Sequence, residues 1–312
     1  MTQFWLEAQL NVDTSRGPLG DAAYVWFDTL TRALTPAERA ELAGLPAATR
    51  INPLAEGPQG EPGKLYGLIE VDRSIGGGYP TTERRHLSEE GLEWLRGELA
   101  DLPKKVTVWI GRFTENGFLG GRLMFAGAWP LRKTPGWLVL DAQVPADRFT
   151  DPGFGRAEQQ RCLRAVRQAA DRLNPSFGQI DYWRDKGNTA LERWSTGLAR
   201  DAQLAIPQTR ERLRGYSWLT IASQEVAEKL GGAAAVAATG AFAEVEPLAE
   251  GGLWLLATED FADYGMRAAE AVFHAVAPAL PPGMPRQRDN FGEPPTFVVI
   301  ADPFVVSGPR CS

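Results

Sequence analysis

The sequence predicts an α+β fold in which antiparallel or mixed sheets are covered by helices, and three observations predict it. Short segments with period-two apolar alternation recur along all 312 residues, interspersed with stretches of helical period. Their order, β-α-β-α-β-β and then β-α-β-β-α-β-β-α-β, departs from the strict alternation of a doubly wound parallel sheet. Hydrophobic residues make up 44% and charged residues 23%, the composition of an ordinary globular chain with material for ample core.

Residues 4–12 alternate and carry Phe4, Trp5, Leu6, Leu10 and Val12, so they read as a first strand. A helix capped by Asp21 follows, with Tyr24, Phe27, Leu30 and Leu34 on one face, and Thr35-Pro36 starts a second helix running to about Ala43. Residues 44–63, rich in proline and glycine, read as loop, 65–71 as strand, and 73–82, with Gly76-Gly77-Gly78, as a flexible connection. Ser88 caps a helix whose first turn carries Glu89 and Glu90 and whose stripe is Leu92, Leu95, Leu99 and Leu102. Strands at 106–113 and 122–128 flank Glu115-Asn116-Gly117, where Asn-Gly supplies the positive φ of a tight hairpin.

Beyond a strand at 137–144, a helix over 156–173 buries Cys162, Val166, Ala169 and Leu173 and turns Arg161, Arg164, Arg167 and Arg172 mainly the other way. Strands follow at 177–183 and 216–222, with a short helix near 189–198 between them. Ser223 caps a helix reaching Leu230-Gly231-Gly232, then come an Ala-rich helix, strands at 242–247 and 253–258, a helix from Gly265 to about Val276 and a last strand at 297–300. The order accommodates two α+β halves, residues 1–130 and 131–312, although no sequence repeat marks a duplication.

Net charge is −6, which disfavours a nucleic-acid role carried by overall charge. Charge is unevenly spread: residues 148–214 hold thirteen Arg or Lys against eight Asp or Glu, whereas 215–270 hold two against nine. No basic leader precedes an apolar core, and no run approaches the length of a membrane span, so the expected location is cytoplasmic. Cys162 and Cys311 are too few for a disulfide framework.

Familiar catalytic patterns fail on inspection. Gly153-Phe154-Gly155 has Glu158 where a dinucleotide loop needs its third glycine, and Gly76–Gly78 lacks the Lys and Ser/Thr of a phosphate loop. Gly215-Tyr216-Ser217-Trp218-Leu219 ends in Leu where a nucleophile elbow needs Gly. His86, in a loop, and His274, on a helix, have no companions at metal-ligand spacing, and no cofactor is implied. Carboxylates are the remaining catalytic candidates: Glu70 and Asp72 on one strand, Asp181 and Asp185 around Trp183, and Glu259, Asp260 and Asp263. Solvated surface acids are the simpler reading.

The acidic segment is more suggestive. Tyr216, Trp218 and Trp254 lie on strands, and Glu244 and Glu246 share one strand side with Ala243 and Val245 opposite. Together with Glu250 they would make an acidic face containing aromatics, suited to a basic protein partner, while core burial is the competing role for the aromatics.

The run Arg214-Gly215-Tyr216-Ser217-Trp218, then Leu230-Gly231-Gly232 with an Ala-rich stretch and Phe242, then Gly251-Gly252-Leu253-Trp254-Leu255 with Ala257-Thr258-Glu259, resembles the type VI immunity protein family. The resemblance covers the C-terminal half from about Trp137 and is most specific over 214–259, and residues 1–130 match no family in this way. It implies a bacterial protein that accompanies a secreted toxin and neutralises it by binding. The preference for Arg over Lys, twenty-seven to six, is consistent with GC-rich bacterial coding. The expected partner is therefore a protein toxin with a basic surface, met by Tyr216, Trp218, Glu244, Glu246, Glu250 and Trp254. The alternatives are a carboxylate-dependent enzyme with a cleft between the halves and a regulatory small-molecule binder.

Overall fold

A computed structural model describes residues 4–43, 58–73, 81–184, 187–194, 202–286 and 293–307. Most of the loop expected at 44–63, the Gly76–Gly78 connection, Asp185, the end of the helix expected at 189–198, and Cys311 lie outside the described residues. The fold is α+β. Ten strands form one antiparallel sheet: β1 (Trp5–Asp13), β2 (Leu65–Arg73), β3 (Thr81–His86), β4 (Lys105–Phe113), β5 (Leu119–Pro130), β6 (Trp137–Pro145), β7 (Phe177–Tyr182), β8 (Leu219–Ala222), β9 (Glu244–Pro247) and β10 (Leu253–Leu256). Their spatial order is β3-β2-β4-β5-β6-β1-β7-β8-β10-β9. β1 thus pairs with β6 on one side and β7 on the other, so the sheet runs unbroken across residue 130.

The helices are α1 (Leu19–Leu34), α2 (Pro36–Ala43), α3 (Glu89–Leu99), α4 (Asp147–Thr150), α5 (Gly155–Leu173), α6 (Ala190–Trp194), α7 (Ala202–Ala205), α8 (Gln224–Lys229), α9 (Gly232–Ala238), α10 (Met266–Val276) and α11 (Pro303–Ser307). Leu6, Ala8, Leu10 and Val12 stand on one face of the sheet opposite Val144, Ala142, Leu140 and Leu138, and join Trp26, Phe27, Leu30, Leu95 and Val166 in one apolar core. α1 packs against both α3 and α5 over that face. Close approach of α1 to α3 depends on Gly20, because a Cβ there would sit 2.1 Å from the Leu99 carbonyl oxygen. Inside this core the Trp26 indole N–H donates to the Asp141 carbonyl at 3.0 Å, giving the buried polar edge of the ring a partner.

Local chemistry explains most boundaries. The Ser88 hydroxyl accepts from Gly91 N–H at 3.0 Å and that of Ser223 from Val226 N–H at 3.3 Å, each satisfying an otherwise orphaned donor of the first helical turn. Gly117 takes φ +77° in the β4–β5 hairpin, and Asn174 ends α5 in the left-handed region at φ 47°. Several boundaries differ from expectation. β8 starts at Leu219, so Tyr216 and Trp218, expected on that strand, precede it. Pro18 occupies the N-cap position of α1, leaving Asp21 in the first turn, where its charge still favours the helix dipole. Residues 81–86 are a strand, so His86 sits on β3 opposite Leu68 and not in a loop. Residues 297–300 bury Val298 but join no ladder, since packing alone satisfies their apolar alternation.

Candidate functional site

The end of the sheet brings three of the expected contact residues together. Glu246 stands opposite Trp254 and Glu244 opposite Leu256, which puts both carboxylates on the sheet face that α5 covers. Between α5 and the β9–β10 hairpin runs an open groove of about 640 Å³, walled by Gln160, Leu163, Arg164, Gln168, Glu244 and Glu246. Arg167 organises it. Its guanidinium donates to the Glu246 carboxylate at 2.8 Å, to the Pro247 carbonyl at 2.7 Å and to the Asp171 carboxylate at 3.1 Å, and lies 5.6 Å above the Trp254 ring. Burial, then the neighbouring Glu246, pushes the Glu244 carboxyl above its ordinary range, with Arg167 opposing. The guanidinium of Arg164 is exposed on the same wall and makes no ion pair among the described residues.

Because β9 is the last strand, its free edge is a place where foreign strands could add. The chain blunts it: β9 has four residues, Pro247 has no N–H to offer, and Arg167 occupies the Pro247 carbonyl. Contacts in the groove are therefore made by side chains.

The other three expected residues lie elsewhere. Tyr216 and Trp218 are 3% and 0% exposed. The Tyr216 hydroxyl accepts from Val299 N–H at 2.7 Å, and the Trp218 indole donates to the Thr258 carbonyl at 3.0 Å while its ring meets Phe149 and Phe261 edge-on. Trp254, at 3%, floors the groove with little area to offer. The expectation of an aromatic contact surface is thus corrected: these rings are core. Glu250 forms an ion pair with Arg16 beyond the groove. The expected bare acidic face is corrected as well, because α5 lies beside the hairpin and its arginines reach the acids. Arg167 takes Glu246 and Arg156 takes Glu259, while Arg210 takes Glu225 from the turn before β8. Such exposed pairs contribute about 0–1 kcal/mol each, and their effect here is to mute the field of the acidic segment.

The catalytic candidates are similarly engaged. Glu70 bonds Arg84 at 2.7 Å, Asp72 accepts from the Thr82 hydroxyl at 2.6 Å, and buried Asp181 pairs with buried Arg184 at 2.8 Å. His274 is exposed on α10, and His86 packs against the Tyr66 ring with its proton affinity lowered by burial. Asp151 accepts from the backbone of Gly153 and Phe154, so that glycine pair belongs to a turn.

A second, buried polar layer escaped the sequence reading. On the sheet face away from α1, α3 and α5, Gln143, Glu7 and Asp181 form one cross-strand row and Asp141, Gln9, Gln179 and Thr220 another, all at most 7% exposed. Arg184, residues 187–194 and residues 202–214 cover its centre. Arg214 is the hub, donating to Glu192 at 2.7 and 2.8 Å, to Gln9 and Asn11 at 2.7 Å each, and to the Gly187 carbonyl at 2.8 Å. Leu131, Val139, Ala202 and Ile206 close the layer beside it. Glu7 and Asp141 have no cationic hydrogen-bond partner among the described residues. Burial and mutual repulsion hold the Glu7 carboxyl well above its ordinary value, and burial pushes Asp141 up to about 7 against the Gln143 amide that donates to it. One Asp141 oxygen and both polar atoms of Gln179 lack partners among the described residues. The signal available in the sequence was the alternation of Glu7, Gln9 and Asn11 with apolar residues, which reads as solvent-facing.

Among the described residues, no group of three or more His, Cys, Asp or Glu is arranged to hold a metal ion, and no helix is long and apolar enough to cross a membrane. No family model, curated protein or solved structure matches the chain.

Proposed function

We propose that the chain is a toxin-neutralising, immunity-type protein that binds a partner protein and occludes it through the groove between α5 and the β9–β10 hairpin. The observation that supports this reading is the composition of the groove wall: Glu244 without an ion pair among the described residues, half-exposed Glu246, exposed Arg164, and two glutamines around an indole floor. A lysine or arginine of the partner would meet Glu244 and compete with Arg167 for Glu246, gaining a desolvated charge contact where a bare surface pair would gain little. The C-terminal resemblance supplies the class of partner, and the muted acidic field places specificity in the groove and not in the overall charge.

The test is capture of a stoichiometric partner from the native host, followed by expression of that partner with and without this chain. The partner should arrest growth alone and not in company. Glu244→Lys should weaken binding by about tenfold or more, and Glu250→Lys, outside the groove, by much less. A harmless partner, or equal effects of the two substitutions, would remove this reading.

The enzyme alternative finds its best support in Glu7 and Asp141, two buried carboxylates whose proton affinities are raised together. Their cover by the Arg214 network requires that network to open before any substrate enters. Retention of a measured turnover in Glu7→Gln and Asp141→Asn would dispose of it.

A further inference from the structure

At the opposite side of the buried polar layer, β5 carries a guanidinium surrounded by rings. The register between β4 and β5 slips between Ile110 and Gly111, so Gly111 faces Arg122 while Ile110 faces Met124. The slip sets the Arg122 side chain among three aromatic rings, with its guanidinium carbon 4.8 Å from the centre of Trp5, 4.9 Å from Trp109 and 5.2 Å from Phe125. The group is partly buried, and burial lowers its proton affinity without discharging it. Aromatic faces hold the cation in place but accept none of its hydrogen bonds in the plane of the fork. No hydrogen-bond or ion-pair partner of this guanidinium is found among the described residues, and Asp141 acts on it only at a distance.

A second donor is unfilled at the same place. The Trp109 indole N–H is buried and has no hydrogen-bond partner among the described residues. Arg122 and Trp109 both line a cavity of about 180 Å³ with Gly111, Leu119 and Gly120. The indole N–H itself has no surface exposed in the cavity, so the Arg122 fork is the donor that an entering acceptor reaches.

We infer that this cavity binds a small free monocarboxylate, its two oxygens taken by the Arg122 fork and its hydrocarbon body against Leu119 and the Trp109 ring. Planar carboxylate matches the guanidinium in two parallel bonds. A short acid suits the space, which equals about six waters at ~30 Å³ each. A single negative charge is preferred over a doubly charged phosphate above about pH 7, where ionised Asp141 acts on Arg122 from behind, while Lys105, 5.9 Å above the Phe125 ring, is a further cation facing the cage.

The site is tested by titrating the full chain with acetate, benzoate and inorganic phosphate at constant ionic strength, following the Trp109 indole N–H by NMR and the heat by calorimetry. Acetate and benzoate should shift that resonance saturably as they settle against the ring. Arg122→Lys, which loses the fork, should weaken binding by about tenfold or more. The inference is overturned if the wild-type resonance does not move up to about 20 mM of either acid, a ceiling corresponding to negligible affinity. It is equally overturned if phosphate binds as tightly as the acids. Unchanged affinity in folded Arg122→Lys would also exclude it.

Discussion

Replacing Asp141 by Asn should stabilise the protein, and by an amount that depends on pH in a defined direction. Asp141 is 1% exposed, its carboxylate accepts one bond from Gln143, and its other oxygen is unpartnered. Folding raises its pKa from the reference 3.8 to about 7. Between roughly pH 4 and pH 7 the folded state therefore holds a proton that the unfolded state has released, so stability falls as pH rises through that window. The penalty is absent below the unfolded value and complete above the folded one. A rise of about three units corresponds to about 4 kcal/mol at ~1.36 kcal/mol per unit. Asn keeps the shape and an oxygen for the Gln143 amide, and it also relieves Glu7 of a repelling neighbour. The expected gain at pH 8 is about 2–4 kcal/mol, shrinking toward zero by about pH 4. Urea unfolding of both proteins at several pH values measures it, and the difference between them cancels the contributions of Asp13, Glu225 and Asp260, whose depressed pKa values act in the opposite sense. A variant that is less stable at pH 8, or a difference that does not change with pH, would refute the reasoning.

Two further predictions concern the same layer. Gly127→Ala should cost about 1–3 kcal/mol in chemical unfolding, because the added Cβ would lie 2.2 Å from an Asp141 oxygen and 3.2 Å from the Trp129 ring in a site with no room to yield. Arg214→Leu should cost about 3–5 kcal/mol, since it strands the Glu192 carboxylate, 0% exposed, along with the acceptors on Gln9, Asn11 and Gly187. A thermal melt of the Leu variant within about 1 kcal/mol of the parent would show that the hub is dispensable.

What could be read from the chain was whatever depends on neighbours in sequence. Ser88 and Ser223 announce their helices, Asn116-Gly117 its hairpin, and the stripe Cys162, Val166, Ala169 and Leu173 the buried side of α5. Edge strand β3, Thr-Thr-Glu-Arg-Arg-His, carries no apolar alternation because four of its six residues are exposed and none is buried, and only pairing with β2 makes it a strand. The Arg214 network was invisible for a different reason. Its members Gln9 and Asn11 lie about two hundred residues before Gly187, Glu192 and Arg214, and each polar side chain alone looks like an ordinary surface group. Alternating polar residues on β1 meant water in the sequence reading, yet in the fold they face a second covered layer. The same cause misplaced the acidic segment: its charge was countable, but the arginines that meet it lie on α5 and in the loop after β1.

The place of β1 between β6 and β7 bears on how the molecule is made. β1 is made ahead of the other described strands, and it has no neighbour until synthesis has passed Pro145 and lacks its second until Tyr182, so its apolar side waits uncovered for β6. Nascent chains stalled before Pro145 should hold this segment accessible to chaperones, and the centre of the sheet closes only once β7 has followed.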